Sequence, residues 1–167
     1  MRQKIALLLA LALICACGAA SADSFTPITV DGSDYIANID NCIAAIDQTT
    51  LGAGEVFSFN EVVGERSEAR GYRSAPNGRG VDVVGGGVGQ VATTIYLAVK
   101  HDGDLEVLEK ETYGSDFCGG YAPDESDAVL ADWAQGLDFR FVNNGGDATI
   151  RLWRDGQSLH CSIEPAQ

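Results

Sequence analysis

The stretch Val83-Val84-Gly85-Gly86-Gly87-Val88-Gly89-Gln90-Val91-Ala92-Thr93-Thr94-Ile95-Tyr96 constrains this chain more than any other. It reads as a short apolar strand, a run of glycines and then an amphipathic helix. Val88, Val91, Ala92, Ile95, Tyr96 and Val99 fall at helical spacing. Glycines between a strand and a helix let the backbone turn sharply and let another group come close. The free N–H groups of the first helical turn, with the positive end of the helix dipole, suit an anion or a developing oxyanion. Gly86, Gly87, Val88, Gly89, Gln90, Thr93 and Thr94 are therefore candidate ligand contacts. The plainer alternative is a tight strand-to-helix turn with no ligand at all.

The chain opens with a basic end (Arg2, Lys4), an apolar run from Ile5 to Ile14 and the small residues Ala20-Ser21-Ala22. Residues 1–22 thus read as an export signal cleaved after Ala22, leaving 23–167 as one domain with a real core. Ile14-Cys15-Ala16-Cys17-Gly18 also resembles a lipobox, which would make Cys17 a lipidated first residue. Either route takes the protein out of the cytoplasm, and no later apolar run is long enough to span a membrane. Losing Arg2 and Lys4 leaves nine basic residues against 24 acidic ones, a net charge of −15. That charge argues against nucleic acid or anionic lipid as an electrostatic partner. Three cysteines follow the signal, Cys42, Cys118 and Cys161, and an exported chain can bridge two of them in any of three pairings. Their spacing, and that of His101 and His160, implies no metal, and nothing calls for a cofactor.

Along the rest of the chain, Ser33 or Asp34 can cap a helix reaching Gln48, with Ile36, Ile39, Ile43 and Ile46 as its buried stripe and Cys42 beside it. Val56, Phe57 and Phe59 read as a strand. Residues 64–80 form an irregular excursion carrying Arg66, Arg70, Arg73 and Arg79, which either pair with nearby acids or meet a carboxylate substrate. Leu105 to Glu109 alternates as a strand, 112–127 is a long loop, and Leu137, Phe139 and Phe141 share a strand face. Thr149–Arg154 and Gln157–Ile163 form a hairpin about Asp155-Gly156, a type I′ turn signal, with Leu159, Cys161 and Ile163 pointing inward. The expected architecture is one α+β domain, two main helices packed on a mostly antiparallel sheet.

The glycine-rich stretch resembles the signature of the VanW family, in which a glycine run precedes Val-Cys-Gln-Val-Ser-Thr-Thr-Leu-Tyr. Val88, Gln90, Val91, Thr93, Thr94 and Tyr96 match, while Gly89 stands where the family has its cysteine. The resemblance runs from Asn38 to about Asn144 and includes Gly54-Glu55-Val56-Phe57-Ser58-Phe59-Asn60, Tyr121-Ala122-Pro123 and Asp138-Phe139-Arg140-Phe141-Val142-Asn143-Asn144. It implies an exported cell-envelope protein, related to families linked with glycopeptide resistance, that meets peptidoglycan stem peptides, with Tyr121 among the ligand contacts. In the family the cysteine resembles a nucleophile of an L,D-transpeptidase, helped by a histidine as base. A cysteine in a first helical turn has a stabilised thiolate, and neighbouring N–H groups can hold an acyl oxyanion. Here Gly89 has no side chain, and the histidine aligns near Tyr113 or Ser115.

Three functions follow. The first is a non-catalytic binding or accessory domain for peptidoglycan peptides. The second is an acyl transferase whose nucleophile has moved to Cys118, in the loop where the family histidine belongs. The third is a purely structural partner of another envelope protein. Ser58, Thr93 and Thr94 carry hydroxyls but no adjacent base, so hydrogen bonding is their expected use.

Overall fold

The computed structural model describes residues 21–166. In chain order its elements are β1 (Ala22–Pro27), α1 (Ser33–Ile46), β2 (Thr49–Leu51), β3 (Val56–Ser58), α2 (Phe59–Val63), β4 (Ser74–Pro76), β5 (Asp82–Val84), α3 (Val88–Val99), β6 (Leu105–Thr112), β7 (Val129–Leu130), β8 (Phe139–Asn143), β9 (Ala148–Arg154) and β10 (Ser158–Pro165). The strands form two four-stranded sheets, ordered β1-β10-β9-β2 and β3-β8-β6-β7, and the separate hairpin β4-β5. Every strand pair is antiparallel. This is the expected α+β domain with two main helices.

Helix α3 runs between the two sheets, touching β1 and β10 on one side and β6 and β7 on the other, with α1 alongside. The sequence suggests a one-sided helix, yet all its residues except Tyr96 are buried. Sandwiching explains the difference, because a helix covered on every side has no solvent face to mark with polar residues. Burying a side chain such as Ile95 contributes about 1.5–3 kcal/mol.

Helix α1 buries Tyr35, Asn38, Ile39, Cys42 and Ile46. Cys42 therefore lies in the middle of the buried stripe, while Ile36 and Ile43 flank it. Gly32 precedes the helix and no side chain caps it, so neither Ser33 nor Asp34 takes the expected role. Phe59 does not extend β3; it opens α2, where the Ser58 hydroxyl accepts from the Glu61 N–H at 3.1 Å. Phe57 and Phe141 stack at 5.0 Å and Phe139 meets Phe141 at 5.7 Å, filling the second sheet's inner face. On β10, Leu159, Cys161 and Ile163 point inward as expected. The β9–β10 turn is not type I′, since only Gly156 has positive φ; the Asp155 carboxylate instead accepts from the Gln157 and Ser158 N–H groups. β1 and β2, both at edges of the first sheet, have no counterpart in the sequence reading. Cys42, Cys118 and Cys161 are all free thiols, so none of the three pairings forms.

A glycine cleft plugged by tyrosine

The apolar strand expected before the glycine run is β5, but its three residues are exposed. Among the described residues it pairs only with β4, and the hairpin leads through the glycine run into α3. Gly86 is fixed by contact: a Cβ there would collide with the Ala75 carbonyl of β4. Asn38 of α1 holds this approach, donating to the Gly86 and Arg73 carbonyls at 2.7 and 2.9 Å and accepting from the Arg73 N–H at 2.8 Å. Gly87 has φ of 100° and caps α3, with the Tyr35 ring packed against it.

Outside the turn lies a cleft of about 300 Å³ lined by Arg66, Val84, Gly87, Val88, Gly89 and Tyr113, with Trp133 on its far wall. Among the described residues, the Gly87 and Gly89 N–H groups have no hydrogen-bond partner. Both donors sit at the positive end of α3. Arg66 adds charge of the same sign. Its Nη1 donates to Asn60 Oδ1 at 2.7 Å, while Nε and Nη2 are buried without a partner among the described residues. Burial lowers its pKa from the usual arginine range. Glu65 and Asp132 line the same cleft, so its charge is mixed, and its unpartnered N–H donors suit a polarised carbonyl.

Of the predicted contacts, Gly87, Val88 and Gly89 line the cleft. Gly86 lies behind it against β4. Gln90, Thr93 and Thr94 are fully buried and have another job. Gln90 accepts from the Tyr35 hydroxyl at 2.8 Å and donates to Thr26 Oγ1 and the Pro27 carbonyl, both at 2.9 Å. Thr94 bonds Thr26 at 2.7 Å, and Thr93 accepts from the Val129 N–H at 2.9 Å. These side chains tie α3 to β1 and β7, and the ligand role read from the sequence is not one their geometry offers. Tyr121 does not itself line the cleft; it is buried edge-on to Phe117 at 5.0 Å, beside Tyr113, which does line it, and burial raises its pKa. Cys118 is exposed in a different groove, with Phe117, Gly120 and Pro123, and no histidine lines it. His101 lies in a third groove with Asp102 and Asp104.

The family model described as "VanW like protein" matches residues 35–164. The chain belongs to the VanW family. The match extends beyond the expected 38–144 to include β9 and β10. The chain is also similar to "Uncharacterized protein YoaR" of Bacillus subtilis (strain 168), 39% identical over 126 residues. That alignment covers 73% of this chain but only 40% of the relative, so the chain spans well under half of that protein's length. No solved structure matches.

Measured against the VanW signature, the departure at Gly89 has a partner. A Cβ built on Gly89 would lie 2.6 Å from the Tyr113 hydroxyl and 3.2 Å from the Val129 carbonyl oxygen. Tyr113, at one of the two positions aligned with the VanW histidine, thus occupies the space a cysteine side chain would need. Burial raises its pKa, which keeps the phenol neutral and a poor nucleophile. Restoring the thiol alone therefore meets a steric obstacle that the sequence did not disclose. Arg66 was visible only as one of four arginines. Trp133 and Tyr35 carried no signal, because nothing local marks which distant residue packs against a helix start.

Proposed function

We propose that this VanW protein is an exported cell-envelope domain that binds peptidoglycan stem peptides at the Gly87–Gly89 cleft without reacting with them. The single observation carrying this reading is that Tyr113 fills the place of the missing cysteine side chain. A site that had lost only its nucleophile would keep room for one; this site has rebuilt the space. The Gly87 and Gly89 N–H groups, unpartnered among the described residues, support this reading as donors to a peptide carbonyl, with the buried Arg66 guanidinium in the same lining. Titration of the purified chain with tetrapeptide stems tests this, with the Gly87 and Gly89 amides followed by NMR. Saturable shifts at both amides, weakened in Arg66→Gln, are expected. Shifts confined to other faces, or none, contradict the reading.

The compartment follows from the N-terminal segment, most of which lies outside the described residues. Ala22 supports processing at Cys17 rather than after Ala22. It is buried as the first residue of β1 and pairs with Ile163, and the neighbouring Ser21 hydroxyl bonds Ser162 at 2.9 Å. Cleavage after Ala22 would remove both residues. The intact mass of the envelope-derived chain decides between an acylated Cys17 and a chain starting at Asp23.

A further inference from the structure

The glycine cleft is lined from two strand edges. Val83 and Val84 belong to β5, whose outer side is unpaired among the described residues, and Leu130 belongs to β7, the end strand of the second sheet. The pairing of β5 shows which of its backbone groups are free. Ala75 lies opposite Val83, the Gly85 N–H donates to the Arg73 carbonyl at 2.9 Å, and the Asn77 N–H donates to the Val81 carbonyl at 2.8 Å. Bonded and non-bonded pairs alternate in an antiparallel ladder, so Val81, Val83 and Gly85 bond inward to the β4 side while Asp82 and Val84 turn their N–H and C=O groups outward. Pro76, opposite Asp82, suits a non-bonded position because it has no N–H to give. All three residues of β5 are exposed, and the Asp82 and Val84 backbone groups have no partner among the described residues. In the same cleft stand the Gly87 and Gly89 N–H groups and Tyr113, which is only 6% exposed yet has an O–H that donates to no group among the described residues.

We infer that a peptide bound in this cleft lies extended along the outer edge of β5 as an added strand, with the carbonyl at its inner end received by the Gly89 N–H and the Tyr113 hydroxyl. The inference rests on the peptide-binding reading and adds how the peptide is held. An extended backbone repeats its N–H and C=O groups on one side at every second residue, ~6.6–6.8 Å apart, which is the interval between the outward groups of Asp82 and Val84. Main-chain bonds of this kind supply affinity, and pockets for alternate side chains supply selectivity. Leu130 and the 45% exposed Trp133 offer apolar surface to one set of those side chains. Other occupants fit worse. A helical peptide satisfies its own backbone and leaves the β5 groups unmet, and a small anion uses N–H donors but not the outward carbonyls. An edge three residues long falls far short of the ~800 Å² that each partner of a stable protein complex buries, which disfavours a second copy of the chain.

Amide hydrogen exchange of the purified chain, with and without saturating tetrapeptide stem, tests it by NMR. Exchange at Asp82 and Val84 should slow about tenfold or more, while Val83 and Gly85, already bonded to the β4 side, should change little. Val84→Pro removes an outward N–H and no bond to β4, so it should weaken binding about tenfold or more. Tetrapeptides N-methylated at one backbone amide at a time need no protein variant, and at least one should lose binding to the same extent. Shifts at the Gly87 and Gly89 amides with no slowing at Asp82 and Val84 overturn this inference and leave peptide binding standing. No shift at any of the four amides overturns both. Binding that survives Val84→Pro and every N-methylation also overturns the strand, as does sedimentation showing a dimer that Val84→Pro dissociates.

Discussion

Gly89→Cys should not by itself rebuild a cysteine site, and the reason can be given a size. The new Cβ lies 2.6 Å from the Tyr113 hydroxyl and 3.2 Å from the Val129 carbonyl oxygen, both held in buried surroundings. Forcing atoms into a packed core costs about 1–3 kcal/mol. Leaving glycine behind gains less than about 1 kcal/mol of helix propensity, so the net is destabilising. For a domain of this size, each kcal/mol moves the melting temperature by roughly 2–4 °C. Tyr113→Ala vacates the space, at the ~3–5 kcal/mol expected for losing a large buried ring. In that background only the 3.2 Å contact with the Val129 carbonyl oxygen remains, so Gly89→Cys should cost less, giving a favourable coupling of up to about 1–3 kcal/mol in the double-mutant cycle. With Cys118→Ser removing the exposed thiol, the double variant should also carry a thiol at the start of α3 with a pKa below the ~8.5 of a free cysteine. Urea denaturation of the four proteins and pH-dependent alkylation of the double variant measure both effects. A Gly89→Cys chain as stable as wild type, with coupling under about 0.5 kcal/mol, would refute the plugged-site argument.

Other variants probe the frame around the cleft. Gly86→Ala drives a Cβ into the Ala75 carbonyl, so its loss of stability should reach or exceed the upper end of ~1–3 kcal/mol, while Gly103→Ala, in open space, should melt with the wild type. Gln90→Leu leaves the Tyr35 hydroxyl and the Pro27 carbonyl without their partner, costing about 1–3 kcal/mol for each orphaned group on chemical denaturation. Burial pushes the Cys42 thiol up to about 11. The unfolded chain then ionises this group first: its stabilising contribution is complete below the unfolded thiol pKa and is lost as pH rises through about 11. The loss is on the order of 3 kcal/mol, from about 1.4 kcal/mol for each unit. Stability measured against pH should therefore fall less steeply above pH 9 in Cys42→Ala than in the wild type.

The sequence carried the parts of the fold written in local patterns. Helix α1, helix α3 and the β9–β10 hairpin show in spacing and turn residues, and the family resemblance located the glycine turn. Contacts between distant segments carried no such mark. β1 pairs at a sheet edge through Ser24, Phe25 and Thr26, whose pattern is mixed because Thr26 is buried on Thr94 and Gln90. The exposure of Val83 and Val84 depends on where β4 runs, not on their own chemistry. Gln90, Thr93 and Thr94 looked like ligand groups because polar residues on an apolar helix suggest a site. Inside a helix covered on all sides they serve equally as internal fasteners. Tyr113 shows the limit most clearly: its hydroxyl and Gly89 are 24 positions apart in the chain and adjacent only in the fold.

The most direct measurement incubates the purified chain with tetrapeptide-bearing muropeptides and follows cross-linked products and covalent adducts by mass spectrometry. Wild type and Cys118→Ala are run side by side, with binding confirmed in both. A domain that binds without reacting yields no cross-linked product and no acyl-enzyme mass in either protein. Cross-linking by the wild type that disappears in Cys118→Ala would contradict the account and place the chemistry on Cys118.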